Sequence, residues 1–398
     1  MNVTQKQVER LTKRIGQERV DQRESQVAAF LKLPLMEKVS SPVAHPPDLA
    51  VVSMDGGRLQ ILDRRPSSVP EPSATARDET LEAGSPTETS EAEQKLEPSQ
   101  DRGGHWREDK IGLLMTMTSQ ESSKDPCPRI PETFVNPLRI AKLARAIKRG
   151  VPTGQDAVAE PPESEGGQEE CGEYTPPKVR VKSMVGSRLA AGRFGQILVA
   201  AAFARGFFGA RRKAFVGDGA ETNWTIQQQW FSDFVAILDF IHALSYVFSA
   251  AMAGRTFRQG WAVYVRWISL VWQGRVVEVI KEMEQRQREL GLPQAEDSET
   301  GPRQIVADSL RYLKNNQDRM RYDEYRRLGL PIVSSHVEST VKQFNRRVKG
   351  TEKFWSEQGA EAVLQLRADY LSETEPMERF WRDRETMASG RRLYRRAV

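Results

Sequence analysis

A chain of 398 residues has room for two or three domains and a large buried core, which excludes a peptide-sized binding module. Hydrophobic residues make up 38% against 28% charged, with 22 Pro and 28 Gly, a balance that predicts a folded core carrying polar insertions rather than wholesale disorder. Only 2 cysteines, Cys127 and Cys171, exclude a disulfide scaffold and a four-thiolate zinc site and suggest a reducing, cytoplasmic setting, and the net charge of +5 is unevenly spread.

Met1 to Gln22 is polar, without the apolar core and cleavage site of a secretory signal. Asn2 to Leu35 reads as a long charged helix ending before Pro34, with Val8, Leu11, Ile15, Val20 and Val27 near helical spacing, so residues 1–40 form an N-terminal packing or dimer segment. Leu49 to Leu62 holds two short apolar runs around Gly56-Gly57, and Trp106 to Thr118 has strand composition; together they predict three neighbouring antiparallel strands in a first core part, 48–118. Residues 63–105 between them are rich in Pro, Ser, Thr and Glu, and Asp63 to Gly104 carries 5 Lys+Arg against 10 Asp+Glu, so a disordered acidic insertion is expected. Residues 119–185 read as a second low-complexity insertion. It is interrupted by a helix at 137–149 whose Arg139, Lys142, Arg145, Lys148 and Arg149 make a basic flank, suited to solvent or to nucleic acid.

Residues 186–242 form the second core part: a helix within Ser187 to Arg211, a strand Lys213 to Gly217 ending at Asp218, a helix Trp224 to Phe231, and a strand Phe234 to Leu238. Asp239-Phe-Ile-His242 opens a further helix. The apolar window Phe234 to Met252 is nearly long enough for a bilayer, but Asp239 and His242 within it would be costly in lipid, so no membrane association is expected. Residues 243–330 have helical period throughout, broken near Gly291 to Pro302. A final helix in 331–356 follows Pro331 and carries Glu338, Lys342, Arg346, Arg347 and Lys349, and residues 357–398 form a helical basic tail ending in two Arg-Arg pairs.

Asp55, Asp218 and Glu338 stand out because each sits at the end of an element beside small or capping residues. Singly, each has a structural reading: Asp-Gly is a turn signal, and Ser335-x-x-Glu338 is a capping box. Together, an acid on a central strand, one after a later strand and one on a following helix suit two Mg²⁺ ions at a scissile phosphate, because carboxylate oxygens match a hard cation and would otherwise repel one another.

Five blocks carry a resemblance: Val52-Ser-Met-Asp55-Gly-Gly-Arg58-Leu-Gln60, Trp106 to Leu114, Phe215-Val-Gly-Asp218-Gly-Ala-Glu-Thr-Asn-Trp224, Ile237-Leu-Asp239-Phe-Ile-His242, and His336-Val-Glu338-Ser-Thr-Val-Lys342 followed by Arg346-Arg347-Val-Lys349-Gly350. In this order they resemble insertion-sequence DDE transposases of the ISKra group, related to the Mutator superfamily. The resemblance implies an α/β fold with an RNase H-like mixed sheet and flanking helices, interrupted by an all-helical insertion. It implies Asp55, Asp218 and Glu338 as a catalytic, metal-binding triad for Mg²⁺, with Mn²⁺ as substitute, and Asp239 and His242 as a supporting Asp-x-x-His motif. It further implies cleavage at transposon ends and strand transfer into target DNA by an enzyme acting on double-stranded DNA in the cytoplasm, at the nucleoid, as a homodimer or higher synaptic assembly.

Lys342, Arg346, Arg347 and Lys349 would contact phosphates beside the site, the alternative being a solvated face. Trp224 and Trp355 are read as packing residues, with base stacking as the alternative, and His336 receives no function. Relatives commonly carry a further N-terminal region with DNA-recognition elements, whereas this chain starts at its first helix. Two rival readings therefore stand beside the transposase: a catalytically idle DNA-binding remnant, and a structure-specific Mg²⁺ nuclease on the same fold.

Overall fold

The computed structural model describes residues 4–61, 105–147, 174–333, 335–348 and 355–388; the side chains of Glu338, Arg346 and Arg347 lie outside that description, as do Lys349, the expected acidic insertion and the Arg-Arg pairs. In chain order the elements are α1 (Gln5–Lys32), α2 (Leu35–Lys38), β1 (Leu49–Ile61), β2 (His105–Thr118), α3 (Pro137–Ile147), β3 (Lys178–Ser187), α4 (Ala191–Ala204), β4 (Arg212–Gly217), α5 (Glu221–Trp230) and β5 (Val235–Leu238). There follow α6 (Phe240–Met252), α7 (Phe257–Trp272), α8 (Val276–Leu290), α9 (Pro302–Asn316), α10 (Tyr322–Arg327), α11 (Ser335–Val348), α12 (Glu357–Leu371) and α13 (Pro376–Ala388). The fold is mixed α/β.

The five strands form one sheet in the order β3-β2-β1-β4-β5. β2 runs antiparallel to β1 and to β3, while β1, β4 and β5 run parallel. Two expectations are corrected here. The Gly56-Gly57 step is not a turn: β1 continues straight through it, with Gly57 directly opposite Asp109 on β2. A Cβ on Gly57 would sit 2.7 Å from the Asp109 carboxylate, so glycine serves close approach rather than chain reversal. The third antiparallel strand is instead β3, which lies in the stretch read as low complexity.

Helices cover both faces of the sheet. On one face α4 packs over β2, where a Cβ on Gly112 would collide with Leu198 and Phe194. On the other lies α11, whose buried Phe344 ring comes within 2.6 Å of where a Cβ on Gly186 would be. The edge strand β5 is closed off by α10, whose Tyr325 and Tyr322 hydroxyls donate to the carbonyls of Ala236 (3.3 Å) and Leu238 (3.0 Å).

The N-terminal helix α1 starts at a Thr4–Gln7 capping box and buries Ile15, Val20, Val27 and Phe30. Gly16 lets it approach Ala362 of α12, and Arg23 bridges to Glu361 (2.9 Å) and Gln365 (3.1 Å) of the same helix. Residues 357–371 are therefore no tail: α12 buries Ala360, Leu364 and Ala368 between α1 and β3. The apolar window 234–252 is a short strand followed by a helix, and among the described residues no helix is long and apolar enough to cross a membrane. Cys127 is buried and disulfide-bonded, which departs from the reduced state expected of it.

The helical segment is fastened to the preceding loop by Arg326 of α10. Fully buried, this side chain lies 4.0 Å over the Trp272 ring and donates from Nε to Asp125 Oδ1 at 2.9 Å. Replacing Arg326 by Ala strands the largely buried Asp125 carboxylate without its cation and is expected to lower stability by roughly 3–5 kcal/mol in urea unfolding. An unchanged unfolding midpoint would contradict this role for the pair.

Candidate functional site

Register brings the expected acids together. The β1–β4 ladder pairs Ser53 with Val216, and two further residues along each chain stand Asp55 and Asp218. The β4–β5 ladder pairs Gly217 with Leu238, and one further residue along each stand Asp218 and Asp239. The Asp239 N–H donates to the Gly217 carbonyl at 2.8 Å, so the parallel bonding pattern carries on past the strand ends. Asp55 within β1, and Asp218 and Asp239 just past the ends of β4 and β5, thus fall on one row across three adjacent strands, which are spaced about 4.8 Å apart in a sheet.

The row also has a definite face. Asp55 pairs with Ile111 and Ile111 with Gly186, and cross-strand partners project to the same side. Gly186 is the position beneath Phe344, so Asp55 lies on the face that α11 covers. Helix α11 carries Glu338 and packs on β1 through an apolar side that includes buried Val341, Phe344 and Val348. Its start is tied to the same sheet edge, because the Phe240 N–H at the head of α6 donates to the Ile332 carbonyl at 2.9 Å, three residues before α11 begins.

Each carboxylate has a different environment. Asp55 is partly exposed, and its Oδ1 accepts from the Gly56 N–H at 2.7 Å. Asp218 is also partly exposed. Its Oδ1 accepts from the Ala220 N–H at 2.9 Å and from Asn223 Nδ2 at 2.8 Å, closing a turn in which Gly219 takes a left-handed φ of 95°. Asp239 is buried at 1% exposure and caps α6, its Oδ1 accepting from the Ile241 N–H at 2.8 Å, while His242 Nδ1 lies 3.5 Å from Oδ2. The Asp-x-x-His spacing is therefore a helix cap with a histidine one turn along the same face.

The expected DNA contacts and aromatics fall as follows. Lys342 is exposed on α11, and Arg346 and Arg347 follow on the same helix. Trp224 is buried, donating from Nε1 to Asn316 Oδ1 at 2.9 Å with the Arg319 guanidinium 4.5 Å over its ring. Trp355 is partly buried and donates to the Val348 carbonyl at 3.0 Å. Both are packing residues.

Four residues around the row escaped the sequence reading. Asn223 grips Asp218 from the first turn of α5, a placement that the Asp218-Gly-Ala-x-x-Asn223 spacing could have signalled. Asp109 on β2 is fully buried, with its carboxylate over Gly57 on the same face as Asp55. Tyr312 of α9 donates to the Asp218 carbonyl at 2.6 Å and stacks on Tyr246 of α6 with centroids 3.6 Å apart. Nothing local in sequence announces that pair, since Tyr312 lies 94 residues from Asp218.

As a donor set, Asp55 and Asp218 offer the hard oxygens that a divalent cation prefers. Among the described residues, no three His, Cys, Asp or Glu side chains lie close enough to hold a metal ion together, and Asp239 is engaged in capping. A three-carboxylate centre in this row would need Glu338, whose side chain is outside the described set. No protein-family model matches the chain, and no curated protein matches it significantly.

Burial raises the Tyr312 phenol well above its ordinary range, with the neighbouring Tyr246 and the charges of Asp218 and Asp239 acting in the same direction. Burial also raises Tyr246 and Tyr322. A phenol raised on folding favours the neutral form, so its contribution to stability is complete below an unfolded pKa of about 10 and is lost as pH climbs toward the folded value. In an alkaline titration followed at 295 nm, the Tyr312 and Tyr322 phenolates should form only together with unfolding, above about pH 10. Smooth ionisation of all 8 tyrosines near that pH in folded protein would contradict the packing described.

Proposed function

We propose that this chain is a DDE-type DNA transposase with an RNase H-like catalytic core. The observation that carries the reading is the shared register of Asp55, within β1, and Asp218, just past the end of the parallel neighbour β4, on the face covered by the Glu338 helix. The mixed sheet, entered by a helical segment between the second acid and that helix, fits the interrupted core that the resemblance implies.

Asp55 and Asp218 would hold Mg²⁺ or Mn²⁺, with Glu338 completing the set. When bound, such an ion pair lowers the pKa of an attacking oxygen and neutralises charge on the leaving oxygen of an in-line displacement. The chain's own groups do the positioning. The Ala220 amide and Asn223 fix one oxygen of Asp218 and thereby orient the other, and Gly56 does the same for Asp55. The Asp239 cap sets the start of α6 and with it His242, which stands beside the row. Lys342, one turn beyond Glu338 on α11, with Arg346, Arg347 and Lys349 after it, supplies positive charge for the DNA backbone flanking the scissile phosphate. Water-mediated cleavage at the element's ends and attack of the resulting 3′-hydroxyl on target DNA are both phosphoryl transfers, so one set of acids serves both.

The test is Mg²⁺- or Mn²⁺-dependent nicking and joining of a labelled duplex carrying the element's ends, native chain against Asp218→Ala. The substitution should cost about 10⁴-fold in rate, roughly 5.4 kcal/mol of barrier. Cleavage without joining would make the chain a nuclease, and absence of metal-dependent cleavage by folded protein would overturn the reading.

A further inference from the structure

We infer that Tyr312 and Asn316 of α9 are positioning residues for Asp218, so that the helical segment sets the geometry of the acid row; the inference rests on the proposed role of Asp218 as a metal ligand. Helix α9 makes two polar contacts one turn apart, one at the end of β4 and one on α5. The Tyr312 hydroxyl donates to the Asp218 main-chain carbonyl at 2.6 Å, and its ring fills the space beside Gly219, where a Cβ would lie 2.6 Å from ring atoms. One turn later Asn316 accepts from Trp224 Nε1 at 2.9 Å and donates from Nδ2 to the Tyr312 carbonyl at 3.0 Å. Trp224 adjoins Asn223, the residue that grips the Asp218 carboxylate.

One bond from α9 therefore ends on the Asp218 backbone, and a second ends on Trp224, the residue after the one that grips the Asp218 carboxylate. Ordinary core packing would end on apolar side chains; the Tyr312 bond ends on the turn that presents the acid. The Tyr246 ring, stacked at 3.6 Å and 11° from parallel, holds Tyr312 from the side of α6, the helix that Asp239 caps. A tilt of α9 relative to the sheet would move the Asp218 carbonyl and the Trp224 ring together. Displacements of about 1 Å at a reacting group can cost on the order of 10²-fold in rate.

Tyr312→Phe keeps the ring and its stack and removes only the donor. In the full-length chain, amide exchange across residues 218–221 should rise, and the Mn²⁺ concentration giving half-maximal cleavage should rise by about tenfold, the lower end of the range for outer-shell partners. The thermal midpoint serves as the control for folding. Gly219→Ala, whose Cβ would collide with both the ring and the hydroxyl of Tyr312 and strain the left-handed Gly219 backbone, should shift Mn²⁺ dependence in the same direction. Unchanged exchange in Tyr312→Phe would overturn the clamp. Raised exchange with native Mn²⁺ dependence would overturn its positioning role. Raised exchange with no metal dependence even in the native chain would remove the proposed function and leave the clamp as a purely structural contact.

Discussion

Because β1, β4 and β5 run parallel and in step, Asp55, Asp218 and Asp239 fall on a single row across the sheet. That register follows from the core. Val51, Val52, Phe215, Val216, Ile237 and Leu238 are all buried, and the Ser53 hydroxyl donates to the Val216 carbonyl at 2.7 Å inside the sheet. A slip of one residue would carry every side chain of β1 to the opposite face. Asp55 would then point toward α4, away from the helix bearing Glu338. The packing that stabilises the sheet and the placement of the acids are thus one constraint.

Within the row, surroundings divide the labour. Asp55 and Asp218 stay partly open to solvent, each with one oxygen tied to a neighbouring amide. Asp239, in the same register, is almost wholly buried and committed to the head of α6. Its carboxylate gives the helix an N-terminal partner and leaves the row with two acids accessible to a ligand. The tyrosines of α6, α9 and α10 close the side of the row next to the helical segment. The hydroxyls of Tyr312, Tyr322 and Tyr325 donate to the main-chain carbonyls of Asp218, Leu238 and Ala236, at or next to the ends of β4 and β5.

Local patterns made much of this legible in sequence. The Lys213–Gly217 and Phe234–Leu238 runs are short, apolar and bounded by Asp, and both are strands of nearly those limits. The Asp239 helix start was equally clear, because an acid before a long apolar helix is a capping signal. What misled was glycine and context. Gly56-Gly57 has turn composition, yet the pair sits in mid-strand because the Asp109 side chain leaves no room for a Cβ. β3 was hidden by polar neighbours, and half of its own residues face partial solvent, so it lacks the dense apolar run that marked β2. The α12 helix seemed part of a charged tail because its burial comes from small residues, Gly359, Ala360, Ala362 and Ala368, fitted against α1 and β3. The Tyr312 clamp is invisible locally, since both of its partners come from distant parts of the chain.

The proposed site makes its sharpest claim about where a cation sits, and a crystal structure of the full chain with Mn²⁺ tests it directly. The account predicts an anomalous peak bridged by carboxylate oxygens of Asp55 and Asp218, at distances of roughly 2.1 Å as for other small hard divalent ions. A peak elsewhere, or Mn²⁺ binding that leaves both carboxylates out of its coordination, would contradict it.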